Sequence, residues 1–437
     1  ERPGAIRAFL HFGGHLLTLS GRRQSGVSRE SPTGMAVPRH LEMAIGLPNS
    51  LHIERYSRRS SRGVPEPSAA GRLRGDVRVW GRTVASGLAI EEDFAMTSVE
   101  VRAFAANGGR DAMAPDKPAA ERLDADMRHV LSILGQMGGR PIESLRTPEA
   151  RAQPRLDMAL RRILRDSHDD HGINMEMRLI HGPADDIRAR IYTPQAEAGA
   201  PRPLILYFHP GAFVLGDVDH YDATPRGLAQ RTGAVVVSSH YRQAPEHRFP
   251  AAHEDAFAAW SWLGEHAASL GADPGRIAVV GEGSGANLAV NVALKAKAQD
   301  GRRPIHLGLV TPMATLTFDL PSHLEIDDTG PFRTETFKWA ARKLLRNKDD
   351  ARDPRLELIE RGDLGGLPPA TIILAEADPL RSEGEALADQ MRRSGVWVDA
   401  TTYDGVTHGF FGLYQVVNKA MFAQGQLARN LAAAFES

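Results

Sequence analysis

The sequence predicts an α/β fold, a mostly parallel sheet with helices on both faces. Two observations predict it. From about residue 173 onward, short apolar runs alternate with segments of helix length. Several of those runs place apolar residues at consecutive positions, which marks strands buried on both faces. Strands joined through helices in this order close as right-handed crossovers.

The elements follow in order. Met175–Ile180 and Ile187–Tyr192 alternate in polarity and flank Gly182-Pro183-Ala184-Asp185, a hairpin signal. The buried runs come next: Leu204–Phe208, Ala234–Ser238, Ile277–Val280, His306–Thr311, Thr371–Ala375 and Trp397–Thr402. Helical stretches between them include Ala251–Leu270, Ala286–Ala298 and Glu383–Ser394. Ahead of the hairpin, Ala119–Met137 repeats apolar residues at helical spacing. Thr147-Pro148-Glu149 then opens a second helix in the N-cap, N1 order, running towards Leu164 with a break expected at Pro154. His168-Asp169-Asp170-His171 has metal-ligand residue types, but nothing nearby completes a site and a solvated loop is the expectation.

Residues 1–112 differ in texture. The 437-residue chain has 53 basic and 54 acidic side chains, a formal charge of −1. That balance hides two unlike parts. Residues 1–112 hold 16 Arg, no Lys and 11 acids, or +5, and the remainder carries −6. The first lysine is Lys117, close after Met113. Eight Arg fall between Arg55 and Arg82 among Pro and Gly, a composition expected to be unstructured. The expectation for 1–112 is a disordered or non-native extension. A nucleic-acid-binding arm and a transit peptide are the competing readings. The chain opens at Glu1, consistent with a truncated or artificial start.

Composition excludes several chemistries. There is no cysteine, so disulfides, thiolate zinc sites, iron–sulfur clusters and a cysteine nucleophile are ruled out. No apolar run reaches 18 residues, the length of a membrane-spanning helix.

In open parallel sheets chemistry gathers beyond the carboxyl ends of the strands. His209-Pro210-Gly211-Ala212-Phe213-Val214-Leu215-Gly216-Asp217 follows the first buried run. Its small residues would let backbone N–H groups approach a ligand oxyanion, although the same residues also suit an ordinary tight turn. Gly281-Glu282-Gly283-Ser284-Gly285-Ala286-Asn287 joins a strand to a helix, the setting of a nucleophile elbow, Gly-x-Ser-x-Gly. Here the middle place is Gly283 and the serine stands one residue on, at Ser284. A dinucleotide-binding glycine turn competes, but this strand comes late and no acidic residue closes the next one. Asp378-Pro379-Leu380-Arg381 and Gly405-Val406-Thr407-His408-Gly409-Phe410 follow the last two strands. An Asp that orients a His, placed after an elbow in chain order, is the α/β-hydrolase arrangement.

With these motifs and Tyr241-Arg242-Gln243-Ala244-Pro245-Glu246 followed by Phe249-Pro250-Ala251-Ala252, residues from about 114 to 437 resemble the hormone-sensitive-lipase-like esterases of the α/β-hydrolase superfamily. That family typically shows His-Gly-Gly-Gly, Gly-Asp-Ser-Ala-Gly-Gly, Asp-Pro-Leu-Arg-Asp-Glu-Gly and His-Gly-Phe. The resemblance implies an eight-stranded core at 173–437 under an N-terminal helical cap at 113–172. It implies a cytoplasmic carboxylesterase for short to medium acyl esters, with no metal and no cofactor. His408 would be the general base and Asp378 its partner. Gly211, Ala212 and Ser284 would supply oxyanion N–H groups, and His209 would brace their loop. The expected partner is a small-molecule ester. A homodimer is open, and no nucleic acid is expected.

The departures from the family pattern are Pro210 and Ala212 for glycines, His240 and Ser382 for aspartates, and Gly283 for the nucleophilic serine. Two mechanisms remain for an active chain, a water activated by His408 or a displaced Ser284. The alternative is a catalytically impaired hydrolase that binds a small ligand. The plant gibberellin receptors, which resemble these esterases but lost a triad member, are the precedent.

Overall fold

A computed structural model describes residues 119–164, 172–195, 199–299, 301–325 and 330–437, with backbone strands alone between Ile6 and Arg102. The chain divides into two compact units, Glu1–Ala114 and Pro115–Ser437. In the first, Ile6–Phe12 pairs antiparallel with His15–Gly21, and Arg78–Ala85 with Leu88–Ala95. The expectation of an unstructured extension covers all of 1–112, most of which lies outside the described residues; within its Arg-rich stretch, Arg72–Leu73 and Arg78–Ala85 are strands. His168-Asp169-Asp170-His171 also lies outside the described residues.

The second unit is built on eight strands: β1 (Ile173–Ile180), β2 (Ile187–Pro194), β3 (Arg202–Phe208), β4 (Val235–Ser239), β5 (Ala272–Glu282), β6 (Leu307–Val310), β7 (Ala370–Ala377) and β8 (Val398–Thr407). Their order in the sheet is β1-β2-β4-β3-β5-β6-β7-β8. The β1–β2 and β2–β4 pairs are antiparallel and every other pair is parallel. All the expected runs fall on strands of this sheet, but Trp397–Thr402 is not buried: β8 is an edge strand, Trp397 precedes it with 58% exposure, and 398–402 are half-buried or exposed.

Strand β3 shows how the core is divided. Leu204, Leu206 and Phe208 point into one apolar layer, and Ile205 and Tyr207 into the other. The first layer packs Trp260 and Leu263 of α6 (Ala251–His266), Leu288 of α7 (Ser284–Ala298) and Leu387 of α10 (Arg381–Arg393). The second packs Leu228 of α5 (Ala223–Thr232) and Leu427 and Leu431 of α11 (Asn418–Glu436). Each buried Leu contributes about 1.5–3 kcal/mol relative to exposure. A run apolar at every position is what a strand between two such layers requires.

The cap differs in detail from its expected outline. The single helix expected over Ala119–Met137 is two, α1 (Ala119–Arg122) and α2 (Ala125–Gln136). Asp124 stands between them with extended backbone, and its N–H donates to the carbonyl of Gly405 at 2.8 Å. The break trades helical continuity for an anchor on β8. The second expected helix also splits, as Pro154 foretold, into α3 (Thr147–Arg151) and α4 (Leu156–Leu164). Thr147 is the first helical residue and Arg146 the N-cap. Residues 311–369 between β6 and β7 add α8 (Pro321–Glu325) and α9 (Thr334–Leu344). Among the described residues no helix is long and apolar enough to cross a membrane.

Candidate active site

The carboxyl ends of β3, β5 and β8 bring three separate loops to one cleft, and the loop after β7 places Asp378 against His408. The cleft has about 1150 Å³ of space between its walls, open solvent included. Leu156 and Leu160 of the cap, Phe332 and Phe337 of the β6–β7 segment, and Pro210, Gly283 and His408 all line it.

His408 and Asp378 meet directly. Nδ1 of His408 donates to Oδ2 of Asp378 at 2.9 Å, and the other carboxylate oxygen accepts the N–H of Leu380 at 2.8 Å. Both side chains are buried. The rings of Phe332 and Phe337 stand edge-on to the imidazole, with centroids 5.2 and 5.3 Å away. Burial works against the imidazolium, but Asp378 outweighs it by charge and hydrogen bond, with Glu282 and Glu383 adding to the pull. The net effect holds His408 above its usual value.

Gly283 is the turning point between β5 and α7, with φ 52° and ψ −116°. Glycine reaches this region without steric penalty, and other residues pay strain for it. Backbone groups hold Gly283 itself. The N–H of Gly283 donates to Val310 at 2.9 Å, and its carbonyl accepts from Ala286 and Met313, each at 3.1 Å. A Cβ at 283 would lie 3.4 Å from Cβ of Pro210 and 3.9 Å from Nε2 of His408. The flanking glycines answer a different need, close approach. A Cβ at Gly281 would stand 2.1 Å from the Gly285 carbonyl oxygen, and one at Gly285 would stand 2.1 Å from that of Phe208.

Ser284 opens α7 and is buried. Its hydroxyl lies 3.3 Å from that of Tyr241, which itself donates to the carbonyl of His209 at 2.9 Å.

The loop after β3 turns sharply. Ala212 and Phe213 have φ of 51° and 65°, an uncommon conformation for side-chain-bearing residues. Leu215 N–H closes the turn onto the Gly211 carbonyl at 2.8 Å. Among the loop and turn hydrogen bonds of the described residues, no backbone carbonyl accepts from Gly211 or Ala212 N–H. These are the donors that the resemblance assigns to an oxyanion.

His209 is buried beneath this loop, its ring stacked on Tyr241 at 4.5 Å. Nδ1 is 2.7 Å from the carbonyl of Pro210, which can only accept, so Nδ1 carries the proton. Nε2 is then the acceptor for the Nδ1–H of His240, 3.0 Å away. That gives His240 a physical account. A carboxylate there would need a second proton on His209, whereas a neutral His can donate to it. Burial, aided by His240, pushes His209 down to about 3. Ser382 has an account too. It exchanges hydrogen bonds with Ser322 at 3.0 and 3.1 Å, tying α8 to α10.

Two residues that motif reading passed over belong to this site. Glu282 lines the cleft and accepts from the hydroxyl of Tyr207 at 2.7 Å. Burial pushes its carboxyl up, against hydrogen bonds from Thr224 and Tyr207. Arg151 of α3 donates from Nε to the Val214 carbonyl and from Nη2 to that of Ala244, both at 2.9 Å. The same guanidinium forks onto Glu246 at 2.8 and 2.9 Å. It therefore pins the cap to the loop after β3. The only signal in the sequence is an Arg on a helix beside a Pro-ended loop, which names no partner.

A strand order of this kind, with an Asp–His pair and a strand-to-helix elbow over one cleft, defines a hydrolase of the α/β class. The comparisons agree. The family described as alpha/beta hydrolase fold matches residues 205–412. Carboxylic ester hydrolase LipN of Mycobacterium tuberculosis is 39% identical over 54% of this chain, which spans 64% of LipN's length. Esterase LipI of the same organism is 38% identical over 60% of this chain and 83% of its own length. Ethyl acetate hydrolase of Pseudomonas putida is 30% identical over 68% and 95%. Among solved structures, an esterase of Pyrobaculum calidifontis matches with a TM-score of 0.64 and 34% identity, over 71% of this chain and 98% of its own. The chain belongs to the hormone-sensitive-lipase-like esterases of the α/β-hydrolase superfamily.

Proposed function

We propose that this chain hydrolyses small carboxylic esters by direct attack of water, with His408 as the general base. Asp378 orients the imidazole, and the N–H groups of Gly211, Ala212 and Ser284 receive the developing oxyanion. The observation that carries this reading is the direction of position 283. A side chain there would stand 3.9 Å from Nε2 of His408, so the base faces a position that offers no hydroxyl. A water oxygen in that space reaches both the base and a bound acyl carbon. The contact of Ser284 with Tyr241 supports a role for its N–H and not for its hydroxyl. The apolar wall of Leu156, Leu160, Phe332 and Phe337 supports short to medium acyl chains as the substrate class.

The rate is expected to be low. Losing a triad nucleophile costs on the order of 10⁶, while the oxyanion hole and binding retain about 10³–10⁴ over water. The lack of a hydroxyl at Gly283 also favours a second reading, a protein that holds a small apolar ligand in this cleft. One set of assays separates them: p-nitrophenyl butyrate hydrolysis by the chain as it stands and by Gly283→Ser, His408→Ala and Ser284→Ala. Expected are slow turnover lost in His408→Ala, and a gain on the order of 10³ or more in Gly283→Ser. Turnover abolished by Ser284→Ala would overturn the water mechanism. No turnover in Gly283→Ser, with ligand binding retained, would leave the binding reading.

A further inference from the structure

Edge strands present a row of unpaired backbone N–H and C=O groups, and proteins blunt them with proline, bulges, short length or charge. The eight-stranded sheet has two edges, β1 and β8. The β8 edge is blunted. Its pairing with β7 shifts register between Ala375 and Ala377, and its Asp399 and Thr401 are held by Gln426 and Asn430 of α11. The β1 edge is not. It runs for eight residues without proline or glycine and pairs with β2 at every position, with no shift in register. Met175, Met177 and Leu179 share one face of it and are 44%, 45% and 61% exposed. Glu176 and Arg178 alternate with them on the other face.

We propose that β1 pairs antiparallel with β1 of a second copy of this chain, about a two-fold axis beside Met177, so that one sheet continues across a dimer.

The occupant follows from the order of the side chains. A two-fold axis that pairs a strand with its own copy stands normal to the sheet. Opposite residues then share a face, and the axis passes beside a residue. About Met177, Glu176 faces the partner's Arg178, and Arg178 faces the partner's Glu176. Met175 lies beside the partner's Leu179, and the two Met177 side chains meet on the axis. Moving the axis to Glu176 or Arg178 sets like charges directly opposite, which destabilises the pairing. Moving it to Met175 or Leu179 leaves both charges without an opposite and shortens the paired stretch. One register therefore serves the charges and the apolar face together. Within the single chain, Nε of Arg178 donates to Oε1 of Glu176 at 2.8 Å, and both side chains are about half exposed. The dimer gives each of them a second group of opposite sign. A copy of this chain fits the edge better than a foreign strand because the pattern is its own complement. The paired stretch, 174–180, falls short of the roughly 20–30 residues a side of a standard interface, so the dimer is weak, with a Kd in the micromolar range or above.

The test is sedimentation of the full chain from low-micromolar to near-millimolar concentration. A reversible monomer–dimer equilibrium is expected. Glu176→Arg and Arg178→Glu each create two like-charge pairs in this register, and each should raise Kd about tenfold or more. An equimolar mixture of the two variants should dimerise as well as the parent chain, since opposite charges then face each other. Loss of the ion pair within one strand does not predict that recovery. The chain has no cysteine. Met177→Cys should therefore cross-link to a dimer with a short bis-maleimide, because opposite Cβ atoms stand about 4.5–5.5 Å apart. Thr402→Cys, in the middle of β8, should not. A monomer at every concentration overturns the proposal. So does a dimer that either charge reversal leaves intact, a mixture that stays monomeric, or cross-linking through Thr402→Cys in place of Met177→Cys.

Discussion

The guanidinium of Arg151 donates to the carbonyl of Val214 at 2.9 Å, joining a cap helix to the loop that carries Gly211 and Ala212. Both Ala212 and Phe213 hold positive φ on that loop, so its shape depends on external ties. Arg151 supplies such ties through a planar fork that lysine cannot reproduce. In a Gly283→Ser background, Arg151→Ala should lower kcat by up to about 10² with KM little changed. Arg151→Lys should recover only part of it. A fall in Tm with kcat intact would reduce Arg151 to a structural clamp.

The elbow glycines should respond to substitution in opposite ways. Gly283→Ser restores a hydroxyl in a backbone region unfavourable to side chains, costing about 1–3 kcal/mol. Activity should rise while stability falls. Gly285→Ala places a methyl 2.1 Å from a backbone oxygen and should destabilise comparably or more, with no gain in activity. Urea denaturation beside esterase assays reads both. Equal stability of Gly283→Ser and the parent chain would contradict the strain argument.

Stability should fall on acidification through identifiable histidines. Burial, with His240 adding to it, holds His209 at about 3, and burial holds His253 and His306 at about 4. Unfolded, each returns to about 6.5. Below that value the unfolded chain binds protons that the folded chain refuses, so stability drops from about pH 6.5 towards 4. Each contributes about 1.4 kcal/mol per pH unit. His408 has the opposite sign. Its raised value adds stability that is present below 6.5 and lost as pH climbs through the folded value. As a base it acts neutral, so kcat/KM should rise with pH through a value above 6.5, and Asp378→Asn should move that limb down. Denaturation curves at several pH values test the first part, and His306→Asn should flatten their slope. An unchanged slope would remove His306 from the account.

Much of the sheet was legible because buried strands carry a local signature. Leu204–Phe208 is apolar at every position since both of its faces are covered. Gly283, Asp378 and His408 were legible because each directly follows a strand of the sheet and stands in a short motif. Arg151 was not, because its carbonyl partners lie 63 and 93 residues away. The helix break at Asp124 was equally hidden, being set by a hydrogen bond to Gly405 on the last strand. The exchange at His240 became intelligible only with His209 beside it. The aromatic wall at Phe332 and Phe337 comes from a segment without a motif, so packing alone reveals it.

The backbone bonds that hold Gly283 bear on substitution there. They involve no side chain, so the turn survives gain or loss of the hydroxyl, and a serine there carries strain that glycine relieves. Stability and turnover therefore pull in opposite directions at this one position. The turn keeps its path with either residue at 283 as long as Gly281 and Gly285 allow the close approach of the chain.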